Sequence, residues 1–92
     1  MYSLLELYIM TRVAAGSMNL DENIFGRLIL NESDFVVGAL SPTKCRGLGQ
    51  ISDVWGYDQE LLLSSPAYNL AVSVRILKLN LHHNPLCSFQ CG

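Results

Sequence analysis

Apolar positions recur along the chain at helical intervals in three stretches, and each stretch follows a residue able to cap a helix. In the first, Leu4, Leu5, Tyr8, Ile9 and Val13 come after Ser3, with Glu6 three residues beyond the serine. Serine and glutamate at that spacing form a capping box, in which each side chain satisfies a free backbone N–H of the opening turn. The spacing predicts a helix from about Leu4 to Ala15, ended by a left-handed Gly16, with Ser17-Met18-Asn19 as the connection. In the second stretch Asp21 is the natural N-cap, and Ile24, Phe25, Leu28 and Ile29 share one face. In the third, Ser65 and Pro66 open the longest helix, which carries Leu70, Val74, Leu77 and Leu81 as a core row and runs to about His82. Asn84-Pro85 stops it.

The segments between these helices are less regular. Gly38, Pro42 and Thr43 break the 34–46 stretch into short apolar pieces, of which Phe35-Val36-Val37 permits only a brief extended run. Gly47-Leu48-Gly49-Gln50-Ile51 suits a turn entering a short helix, and Asp58 can cap another short helix through Leu62. No repeat, low-complexity run or interdomain linker interrupts the pattern. The expected fold is a single mainly α domain over residues 1–92, with an irregular loop or short hairpin around 35–46.

Composition narrows the function classes. Half of the 92 residues are apolar, so a core can form without metal or disulfides. Six basic against eight acidic residues, for a net charge of −2, give no basic stripe, which argues against a nucleic-acid partner held by phosphate contacts. Cys45, Cys87 and Cys91 are an odd count without a Cys-x-x-Cys pair, indicating neither a zinc site nor a complete disulfide framework. Cys87 and Cys91 either pair or, as the pattern favours, serve as small apolar residues near a terminus. His82 and His83 suit the negative end of a helix dipole better than a metal, and no metal or cofactor is expected. Glu6 and Arg12 interrupt the N-terminal apolar stretch, which reads as neither a signal peptide nor an integral membrane segment.

One carboxyl stands out. Glu32 extends the apolar row of the second helix by one i+4 step from Leu28, and burial there disfavours its charged form. It also falls in the last turn, where the helix dipole opposes a negative charge by about 0.3 to 1 kcal/mol. Both effects raise its pKa, as a proton donor to a glycosidic oxygen requires. Eighteen residues later, beyond a Gly-rich turn, comes Gln50, whose amide could donate to and accept from a sugar. The glycines of that turn would allow close approach of sugar to backbone. Asp34, two residues from Glu32, cannot share its helix face and reads as a solvated loop residue.

The run Asn31-Glu32-Ser33-Asp34-Phe35, then Ala39-Leu40-Ser41-Pro42, then Arg46-Gly47-Leu48-Gly49-Gln50-Ile51 resembles the soluble lytic transglycosylases of the lysozyme-like superfamily. Those proteins write Glu-Ser-x-Phe, then Ala-x-Ser-x-x-Gly-Ala-x-Gly-Leu-Met-Gln-Ile, and the spacing from Glu to Gln fits without a gap. Ser65-Pro66-Ala67-Tyr68-Asn69-Leu70 similarly looks like the family's Asp-Pro-x-x-Asn-Ile opening of its next long helix. The resemblance covers roughly residues 5–80 and rests on linked motifs in register.

It implies a lysozyme-like helical domain that cleaves the β-1,4 bond between N-acetylmuramic acid and N-acetylglucosamine in peptidoglycan strands. Glu32 would be the catalytic acid and then base, leaving 1,6-anhydro ends, with Ser41, Gly47, Leu48 and Gln50 as the substrate-binding set. It implies action at the cell wall, and the lack of an export signal fits delivery by a phage, by lysis or in the virion. Three departures stand beside it. Lys44 replaces a family glycine; Gly49 replaces a methionine, expected to remove an apolar contact from the sugar-binding wall; and the third motif, Ala-Tyr-Asn-Ala-Gly beyond the long helix, is missing. A weakened or inactive wall-binding or virion structural protein with the same fold is the competing expectation, and protein partners are not indicated.

Overall fold

The structure, a computed structural model, describes the backbone of residues 1–83 and side chains through Asn80. Four helices make up most of it: α1 (Leu4–Ser17), α2 (Glu22–Ser33), α3 (Gln59–Ser64) and α4 (Pro66–His83). Between α2 and α3 lies a small hairpin of β1 (Cys45–Arg46) and β2 (Ile51–Ser52), followed by a single 3₁₀ turn over Asp53–Trp55. The chain is thus a mainly helical small domain. No helix of the described residues is long and apolar enough to cross a membrane.

The capping residues place the helix starts. Ser3 accepts the N–H of Glu6 at 3.1 Å while the Glu6 carboxylate accepts that of Ser3 at 2.9 Å, closing the capping box. These two bonds hold the Glu6 carboxyl below its ordinary pKa, the backbone bond contributing most. The Asp21 carboxylate accepts from Asn23 and Ile24, that of Asp58 from Leu61, and the Ser65 hydroxyl from Tyr68.

The ends and faces depart from the sequence pattern in informative ways. α1 continues through Gly16, and the left-handed residue that turns the chain is Asn19 (φ 58°), a residue type that tolerates this conformation. The row that located α1 does not face the core: Leu5, Ile9 and Val13 are 67%, 52% and 66% exposed, whereas Leu7, Thr11 and Ala15 are buried. In α2, Phe25 and Ile29 are fully buried, but Ile24, expected on the same face, is exposed. Phe35-Val36-Val37 is not extended either. Asp34 and Phe35 are both left-handed (φ 54° and 59°), so the chain leaves α2 in tight turns. The hairpin forms later, at 45–52, with Leu40 bridging to Arg46 as a third short rung.

The core runs along α4. Leu70, Val74 and Leu77 meet Phe25 and Ile29 of α2, Leu7 and Ala15 of α1, Leu48 and Ile51 of the hairpin, and Leu62 of α3. Cys45 is buried and disulfide-bonded, a bond that the spacing of the cysteines did not signal. Cys87 and Cys91 lie outside the described residues, as do the side chains of Leu81, His82 and His83.

Candidate functional site

The last turn of α2 and the loop that follows it enclose an open groove of about 660 Å³, lined among others by Glu32, Asp34, Val36, Leu40, Ser41 and Gln50. Three residues singled out from the sequence, Glu32, Ser41 and Gln50, therefore meet at one groove although they are spread over nineteen positions of the chain. Gly47 and Leu48 do not line it. They are buried in the hairpin turn, Leu48 completely, and act on the groove through the backbone that carries Gln50.

Glu32 is half-buried, and its carboxyl makes no hydrogen bond or ion pair among the described residues. Burial pushes its pKa up. The contrast with Glu22 is direct, since that carboxylate is held by Arg12 at 2.9 Å. A carboxyl that is part-desolvated and has no cation beside it keeps its proton to higher pH than an ordinary glutamate. Asp34 is exposed at the rim of the same groove, as the left-handed C-cap of α2.

Gln50 is held from two sides. Its Nε2 donates to the carbonyl oxygens of Ala39 and Gly47, each at 3.1 Å, which uses both amide hydrogens and fixes which end of the amide is nitrogen. Only Oε1 remains without a partner among the described residues. Gln50 therefore offers a ligand an acceptor, not the donor–acceptor pair expected from its residue type. Ser41 is similarly engaged: its hydroxyl accepts the N–H of Cys45 at 3.0 Å and lies 2.9 Å from that of Thr43. It shapes the tip of the 41–45 turn as well as lining the groove.

The glycines serve packing against α4. A Cβ on Gly47 would lie 2.1 Å from Asn69 Nδ2 and 2.2 Å from the Leu62 carbonyl, and one on Gly49 would lie 1.9 Å from Ser73 Oγ. Close approach of the turn to a helix therefore accounts for both glycines. Position 49 points into α4, so the missing methionine leaves no gap in the groove wall.

Asn69 is the residue the sequence reading passed over as part of the site. It is fully buried. Its Nδ2 donates to the carbonyls of Arg46 and Leu62, each at 2.9 Å, and its Oδ1 accepts from the Gly49 N–H at 2.8 Å and the Ser73 hydroxyl at 3.1 Å. One side chain thereby ties α4, the end of α3 and both sides of the hairpin turn together. The available signal was the polar pair Asn69 and Ser73, four residues apart within the buried face of α4, opposite a turn of two glycines.

No three His, Cys, Asp or Glu side chains come together as a metal site among the described residues. No family model, curated protein or solved structure matches the chain.

Proposed function

We propose that the protein is a lytic transglycosylase of peptidoglycan strands, with Glu32 as its acid and base. The observation that carries this reading is the half-buried Glu32 carboxyl, without a hydrogen-bond partner among the described residues and with a raised pKa, opening on a groove that it shares with Ser41 and Gln50. Backbone geometry adds support. Of the five non-glycine residues with positive φ among the described residues, four (Asp34, Phe35, Lys44 and Gln50) lie between 34 and 50, and two of these, Asp34 and Gln50, line the groove. Left-handed non-glycine residues cost energy and tend to gather at functional sites. Lys44, at φ 65°, holds a left-handed conformation that glycine takes without cost, at the position where the family it resembles writes glycine.

In the reaction, Glu32 donates its proton to the bridging oxygen as the C1–O bond breaks, and N-acetylglucosamine leaves as an alcohol. The muramoyl 6-hydroxyl then attacks C1 and loses its proton to the Glu32 carboxylate, which restores the acid. The substrate's own acetamido group supports the positive charge at C1, so no second carboxylate is required, in contrast to the two-carboxylate scheme. Gln50 Oε1 can accept a hydrogen bond from a sugar hydroxyl or acetamido N–H.

The test is digestion of purified peptidoglycan sacculi with mass analysis of the released muropeptides. Fragments ending in 1,6-anhydromuramic acid are expected. Reducing muramic ends would make the protein a hydrolase and direct attention to Asp34 at the groove rim. Release of neither kind by the folded protein would favour a non-catalytic wall-binding or virion role.

A further inference from the structure

A second cleft, of about 500 Å³, lies between the 3₁₀ segment and the later turns of α4 and shares no lining residue with the Glu32 groove. Its volume is within the range of about 300 to 1,000 Å³ typical of small-molecule sites. Two aromatic side chains, Trp55 and Tyr57, and two cations, Arg75 and Lys78, line it, and among the described residues no carboxylate does.

The fold builds this combination deliberately from two elements. Ser52 caps the 3₁₀ turn by accepting the N–H of Val54, and Gly56 closes it in the left-handed conformation, which presents Trp55 with 37% of its surface open. Arg75 and Lys78 stand one turn apart on α4, beside the buried Val74 and Leu77 that fix the helix. The Lys78 ammonium donates to the Met18 carbonyl at 2.6 Å and keeps two further N–H groups. Arg75 is exposed and, unlike Arg12 with its Tyr8 and Glu22 partners, makes no hydrogen bond or ion pair among the described residues. The indole N–H of Trp55 is likewise without a partner among them.

Aromatic faces take up flat apolar surface, and a guanidinium fork binds a carboxylate through paired charge-assisted hydrogen bonds. We infer that this cleft is a second binding site for an acidic sugar, whose ring lies on Trp55 and Tyr57 and whose carboxylate meets Arg75 and Lys78. The choice of a sugar rests on the peptidoglycan reading above, in which a muramic acid whose peptide stem has been removed carries a free lactyl carboxylate that N-acetylglucosamine lacks. The site would hold a stem-free stretch of strand at a distance from the bond being cleaved.

Trp55 is the single tryptophan of the chain, so its fluorescence reports on this cleft alone. The full chain should be titrated with N-acetylmuramic acid and, separately, with N-acetylglucosamine. A saturable change is expected with the acidic sugar and binding weaker by about ten-fold with the neutral one, the scale of one hydrogen-bonded charge contact. Arg75→Gln, an exposed change, should bring the acidic sugar down to the neutral one, while Glu32→Gln should leave the titration as it was. Equal affinity for both sugars, a preference that survives Arg75→Gln, or no saturable change would overturn the inference. Failure here leaves a positive sacculus digestion standing, and a negative digestion leaves a positive titration standing.

Discussion

Asn69 Oδ1 accepts the backbone N–H of Gly49 at 2.8 Å, joining two residues twenty positions apart in the chain. Through this bond, and those from Nδ2 to Arg46 and Leu62, α4 fixes the turn on which Gln50 is carried. Asn69→Ala would strand one buried N–H and two carbonyls, each costing about 1 to 3 kcal/mol when left unpaired. Loss of about 3 kcal/mol or more is expected, read as a lower midpoint of urea unfolding at unchanged slope. A variant within about 0.5 kcal/mol of the parent would show that the turn is held by other contacts.

Gly49→Ala should destabilise strongly because its Cβ would overlap Ser73 Oγ, at 1.9 Å. Combining it with Ser73→Ala removes that oxygen but leaves the Ser73 Cβ at 2.9 Å, so recovery should be partial. The two changes should be coupled by about 0.5 to 3 kcal/mol in a double-mutant cycle. Simple additivity would contradict the close approach of turn and helix.

For Glu32, the folded state holds its proton to higher pH than the unfolded chain does, because burial disfavours the carboxylate. Between the two pKa values the folded state binds more protons, so this group's contribution to stability falls as pH rises through that window and is constant above it. The parent should therefore lose stability relative to Glu32→Gln when pH is raised from about 3 to about 7, measured by paired thermal or urea unfolding curves. The opposite slope would mean that the folded state favours the carboxylate. In the proposed reaction, Glu32→Gln should lower cleavage of sacculi by about 100- to 10,000-fold with the fold intact. Retention of the parent rate would exclude Glu32 as the acid.

On α1, Ile9→Glu should change stability by no more than about 0.5 kcal/mol, because the side chain is open to solvent. Leu7→Ala, on the buried face, should cost about 2 to 5 kcal/mol. Comparison of the two unfolding midpoints checks which face of the helix is the core face, and the reverse order would place it on the Leu5, Ile9 and Val13 side.

What the sequence determined on its own is local. Ser3 with Glu6, Asp21, Asp58 and Ser65 place the helix starts because each acts on backbone groups within three residues, and the i+4 step from Leu28 puts Glu32 in the last turn of α2. Periodicity could not choose the buried face of α1, since that helix is apolar on both sides, and its packing on α2 and α4 made the choice. It also could not tell why the 47–50 turn has two glycines, because the reason is the approach of Asn69 and Ser73 from a helix about twenty residues further on. The same holds for Gln50, whose donors go to Ala39 and Gly47 and not to a ligand, and for the hairpin, which forms where Arg46 can pair with both Leu40 and Ile51. Such partners become neighbours only when the core along α4 closes and the cost of leaving buried polar groups unpaired selects one arrangement.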